Sequence, residues 1–134
     1  MKQIIIDGNN FSDEEGFYVE TDRLLTRNLT WKTGHNLDAF NDLLRGGFGF
    51  HEPGEKLSII WINAAKSKKD LGYEITEKHW ERILNTCHPA NREYVQEKIL
   101  EAHNHSGETL FDMIVGIIRD SEDSGHCCEL EIID

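Results

Sequence analysis

The chain has 134 residues, enough for one domain with one core. Its 38% hydrophobic content is that of a globular protein and excludes a disordered one. Lys plus Arg number 14 against 25 Asp plus Glu, a net charge of -11, which disfavours phosphate backbones and anionic membranes and favours a basic protein as partner.

Taken in order, Gln3 to Asp7 is a short apolar run closed by Asp7-Gly8 and reads as a buried strand. It leads straight from the N-terminus, with no signal-peptide core, and no later run approaches the roughly 18 apolar residues of a membrane span. Ser12-Asp13-Glu14-Glu15 fits a capping box with Ser12 as the cap. Phe17, Thr21, Leu24 and Leu25 then recur at helical spacing. Residues 29–33 form a connector carrying Trp31.

A second helix over about 36–45 has its start and stop written in. Asn36 is a good N-cap, with His35 the alternative one residue earlier, and Gly46-Gly47 supply a glycine stop. Leu37, Ala39, Phe40, Leu43 and Leu44 fill one side of the helical wheel, and Asp38, Asn41, Asp42 and Arg45 the other. Asp38 and Asp42 are four residues apart, so both carboxylates leave one face. Like charges at that spacing destabilise a helix slightly, so the pair is not there for helix stability.

Phe48 to Gly54 is irregular, and Leu57 to Ile62 is a second buried strand. Lys66, Lys68, Lys69 and Asp70 place a solvated loop over 66–73. Trp80, Ile83, Leu84 and Cys87 mark a helix stopped by His88-Pro89, with Pro89 suited to the first turn of the next. Val95, Ile99 and Ala102 stripe that next helix, and Asn104 to Gly107 close it. Leu110, Met113, Ile114, Ile117 and Ile118 form a broad apolar face over about 108–124, stopped by Gly125. Cys127 to Ile133 alternates as a third strand. Long helical crossovers between apolar strands predict a parallel sheet, hence an α/β fold.

The stretch Gly34-x-Asn36-Leu37-Asp38-Ala39-Phe40-x-Asp42, set after a strand ending in Asp7-Gly8, resembles the inhibitory helix of the barstar family, intracellular inhibitors of the ribonuclease barnase. The resemblance covers about 1–62 and 108–134. It implies a single domain over 1–134 with a small three-stranded parallel sheet flanked by helices, and a helical pair inserted over about 66–106. It also implies a protein that is not an enzyme and needs no cofactor. Such a protein occludes the basic active site of a cytotoxic ribonuclease with its acidic helix, as an immunity protein or antitoxin does.

Carried over residue by residue, the resemblance makes Asp38 and Asp42 the main anchors, standing where RNA phosphates would lie, with Asp42 the more important. Gly34 and Asn36 fall along the contact surface, and Leu37 borders it. Asn41 stands between the two aspartates, where the family's archetype has a tryptophan. Asp120 aligns with a peripheral acidic contact. Lys32 and Thr33 replace a pair of tyrosines. Lost aromatics mean lost anchoring area, so barnase itself is expected to be inhibited poorly and a different nuclease to be the target.

Other chemistry is weaker. His103-Asn104-His105 and His126-Cys127-Cys128 carry donor atoms without the spacing of a structural zinc site, so no metal is expected. Asp38 and Asp42 as an acid–base pair would need a pocket that a convex helix does not offer. Three cysteines, two of them adjacent, do not make a secreted disulfide framework, so a reducing cytoplasm is expected. A monomer is expected as well. The alternative function is an acidic interaction domain that binds another basic protein without inhibiting a nuclease.

Overall fold

The computed structural model describes residues 2–134 apart from 28, 30–32 and 121–124. Trp31 of the connector and Lys32, which stands in place of one of the family's tyrosines, therefore lie outside the described residues. Three parallel strands, β1 (Lys2–Asp7), β2 (Leu57–Ile62) and β3 (Cys128–Ile132), form a sheet in the order β1-β2-β3. The register sets Ile4 beside Ile59 and Ile59 beside Leu130, and likewise Ile6 beside Trp61 and Trp61 beside Ile132. Side chains alternate across a strand, so these residues share one face. That face carries the core, with Ile6 and Trp61 fully buried.

The core is completed by α1 (Glu14–Leu25), α2 (Leu37–Arg45) and α6 (Leu110–Arg119). Phe17 stacks on Trp61 with ring centroids 5.6 Å apart and meets Phe40 edge-on at 5.1 Å, which ties α1 and α2 to the middle strand. The cap of α1 is Asp13, not Ser12: its side chain accepts from the Gly16 amide at 2.7 Å. Either residue type caps well. Here the shift frees Glu14 and Glu15 for partners elsewhere.

Between β2 and α6 run α3 (Ala64–Asp70), α4 (Tyr73–Leu84) and α5 (Arg92–His103). The loop expected over 66–73 is thus mostly helix. Its buried side is made of small residues, Ala64 and Ser67, with Leu71 beyond the last turn. Ser67 accepts from the Trp61 indole at 3.0 Å. Lys66 is not a solvated charge either: its ammonium donates to the carbonyls of Phe11 at 2.7 Å and Gly8 at 3.3 Å, and pairs with Asp70. Pro89 opens a short 3-10 turn before α5, as its fixed φ favours.

In α4 the deeply buried positions are Thr76 and His79, while Trp80, Ile83 and Leu84 are half-buried. Thr76 Oγ1 accepts from the Leu110 amide at 2.7 Å, joining α4 to the start of α6. The last helix ends at Arg119, short of the expected 124.

Candidate functional site: an acidic helix stapled to its neighbour

The second helix folds as its end signals dictate. Asn36 Oδ1 accepts from the Ala39 amide at 2.8 Å, so Asn36 and not His35 is the cap. At the other end Gly46 has φ 91°, and a Cβ there would stand 2.3 Å from the Glu52 carbonyl oxygen, so only glycine fits. Phe40, Leu43 and Leu44 are buried, and Leu37 packs against them at the edge of the core. The opposite side of the same helix is thereby fixed outward, and both Asp38 and Asp42 are exposed.

The two carboxylates differ in their surroundings. Asp42 pairs with Arg45 at 3.2 Å across one turn, with 57% and 47% of the side chains exposed. An open pair of this kind contributes roughly 0–1 kcal/mol and is readily exchanged for another partner. Asp38 has no cationic side chain within ion-pair distance among the described residues. Asn41, between them, is half-buried, and its Oδ1 is shut away from solvent without a hydrogen-bond partner among the described residues. It therefore turns part of its amide inward and offers less surface than an aromatic would.

The segment before the helix is held by side chains that the wheel does not reveal. His35 Nε2 meets Asp22 Oδ2 at 2.8 Å, and its Nδ1 meets Glu15. Thr33 donates to the other oxygen of Asp22. Glu15, then Asp22, hold the His35 imidazolium above the usual histidine range against partial burial. Four polar residues, Glu15 and Asp22 of α1 with Thr33 and His35 of the 33–35 segment, thus staple the start of α2 to α1. Gly34 and Asn36 sit exposed on this staple. A Cβ on Gly34 would come within 3.2 Å of the Asn36 amide nitrogen, crowding the cap. The signal for the staple was present only as a histidine beside the cap; its partners lie 13 and 20 residues earlier.

Asp120 lies just past α6 and is exposed. Its charge and that of Arg45 act in opposite senses on the buried His126 ring, whose pKa is pushed down chiefly by burial. Asp120 and Arg45 are thus both close enough to the His126 ring for their charges to act on it. Gly34, Asn36, Leu37, Asp38, Asn41 and Asp42 are brought together on α2 and the turn before it, while Asp120 comes from the end of another helix, α6.

A second acidic group is of another kind. Glu14 Oε2 accepts from Tyr18 Oη at 2.6 Å, His79 Nδ1 at 2.9 Å and Arg82 Nη2 at 2.9 Å. Burial opposes its ionisation, but His79, Arg82 and Tyr18 outweigh it and hold the carboxyl at about 2. This cluster clamps α4 onto α1. Among the described residues no group of three His, Cys, Asp or Glu side chains is arranged to hold a metal ion, and no helix is long and apolar enough to cross a membrane.

Fold and surface together define a small parallel α/β domain that displays paired acids from a capped helix. Residues 1–110 match the family described as Barstar (barnase inhibitor), and the chain belongs to that family as a longer member. The match takes in α3, α4 and α5 and ends at the first residue of α6. No curated protein and no solved structure matches the chain.

Proposed function

We propose that this protein inhibits a cytotoxic ribonuclease by occlusion, as an immunity protein or antitoxin of the cytoplasm. It does so without chemistry of its own. The observation that carries the reading is the pair Asp38 and Asp42, one turn apart and exposed on a helix whose other side is locked into the core. A ribonuclease cleft is cationic because it binds phosphates. The net charge of -11 speeds encounter with such a cleft. The helix then lays its carboxylates against the cations that await RNA. The staple through His35 means that little conformational freedom is lost on docking.

Asp42 is the central anchor in this reading. It sits mid-helix, where a docked partner excludes water, and Arg45 yields it to a stronger cation. Gly34, Asn36, Leu37 and Asn41 line the contact, and Asp120 stands at its rim. Asn41 provides no aromatic anchor, so barnase is a poor target and a different ribonuclease the proper one.

Inhibition titrations of RNA cleavage test this, against barnase and against a ribonuclease encoded beside this chain. Stoichiometric inhibition of the neighbouring enzyme with weak inhibition of barnase is expected. Tight barnase inhibition would overturn the specificity argument. Binding of the basic enzyme with cleavage undiminished would replace inhibition by the interaction-domain reading.

A further inference from the structure

Between the start of α2 and α4 lies a groove of about 580 Å³. Leu37, Trp80, Ile83 and Met113 give it apolar walls, and Asp38 from α2 and the exposed Thr86 beyond α4 also line it. Three basic side chains also border it, and each is already paired within the protein, His79 with Glu14 at 2.9 Å. Arg82 is held by Glu14 at 2.9 Å, and His35 lies between Glu15 and Asp22. Asp38 is the one bordering charge with no ion-pair partner among the described residues.

An apolar trough ending in an uncompensated carboxylate has a definite complement. A lysine or arginine side chain lays its methylene stem along apolar surface and keeps its charge at the end. An indole wall adds cation–π attraction. We infer that this groove takes an arginine or lysine side chain of the partner protein, with the stem against Trp80 and Ile83 and the charge on Asp38, so that α4 supplies a second half of the interface beside α2. A second copy of this chain is a poor occupant, because two molecules of charge -11 repel. The inference deepens the inhibitor reading and rests on it for the partner's identity. The ligand chemistry of the groove stands apart from that reading.

The test has two arms. In the first, N-acetyl-arginine amide is titrated into the whole protein while NMR follows the Trp80 indole and the Met113 methyl. Saturable shifts in the millimolar range are expected. They should fall at least threefold in Asp38→Asn, persist in Asp42→Asn, and be weaker for the neutral N-acetyl-norleucine amide. No saturable shift, or equal binding by Asp38→Asn, overturns the inference whatever the protein's function. A concentration-dependent dimer in sedimentation that protects Trp80 would also overturn it.

The second arm uses the ribonuclease that the wild-type protein inhibits. Trp80→Ala should weaken inhibition at least tenfold. The exposed Thr86→Arg, which offers the groove a guanidinium of its own, should do the same without disturbing the core. Inhibition within threefold of wild type in folded Thr86→Arg and Trp80→Ala would overturn the assignment of α4 to the interface. If no ribonuclease is inhibited, the functional reading fails, and the first arm still decides what the groove binds.

Discussion

Two acidic groups in this protein show opposite uses of the same side-chain chemistry. Glu14 is buried, accepts three hydrogen bonds on one oxygen and joins two helices. Asp38 and Asp42 are exposed, and among the described residues only Asp42 has an ion-pair partner, an open one. A buried carboxylate must find its partners inside the fold, or the cost of burial falls on stability. A carboxylate meant for another molecule must be left without strong partners, and the fold must be secured by something else. In α2 the securing is done by Phe40, Leu43 and Leu44 beneath and by the cap and staple at the end.

That contrast can be broken by mutation. The largest effect expected on stability is from Glu14→Ala, which strands His79 and Arg82 at the α1–α4 junction. A loss of about 3–5 kcal/mol in urea unfolding is expected, and a loss below about 1 kcal/mol would mean that the clamp is ornamental. Of similar size, but in binding alone, Asp42→Ala should cost about 2–5 kcal/mol of inhibition because a partner cation is left buried and unpaired. Its unfolding midpoint should stay near wild type.

Acid sharpens the comparison. Glu14 has its pKa lowered, so its contribution is complete above the unfolded value near 4.5 and disappears as pH falls through about 2. By linkage this amounts to about 3 kcal/mol. Wild type should therefore lose stability steeply between pH 4.5 and 2, and Glu14→Gln should flatten that slope. His35 works in the other direction. Its raised pKa gives a contribution present below the unfolded value that is lost as pH rises through the folded one. His35→Asn should remove a weak loss of stability on the alkaline side. Smaller again, Asn36→Ala should cost about 1 kcal/mol as a lost cap. Asp120→Ala, at the rim, should change inhibition by less than about 1 kcal/mol, and a loss equal to that of Asp42→Ala would contradict the central placing of α2.

The acidic helix was legible because all its determinants are local: a cap, a glycine stop and a wheel with two sides, within a dozen residues. The parallel sheet was legible because its strands are short apolar runs separated by long helical crossovers. Helix α3 was not, since it buries alanine and serine rather than large apolar side chains, and its lysines look solvated. Lys66 in fact reaches carbonyls more than 50 residues away. The Glu14 cluster was hidden for the same reason, with His79 and Arg82 lying 65 and 68 residues from their acid. The cap of α1 was misplaced by one residue because Ser12 and Asp13 are both good caps, and only packing chooses between them. The family match runs on through α3 to α5, so the expected insertion over 66–106 remains a proposal about lineage while its helices are part of the fold.

The most direct test of the account is the double variant Asp38→Asn/Asp42→Asn, measured by urea unfolding and by inhibition of RNA cleavage on the same preparation. The unfolding midpoint should equal or exceed that of wild type, because a like-charge pair one turn apart has been removed, while inhibition should be lost. Inhibition that survives, or a protein that no longer folds, would show that these two acids serve something other than a partner.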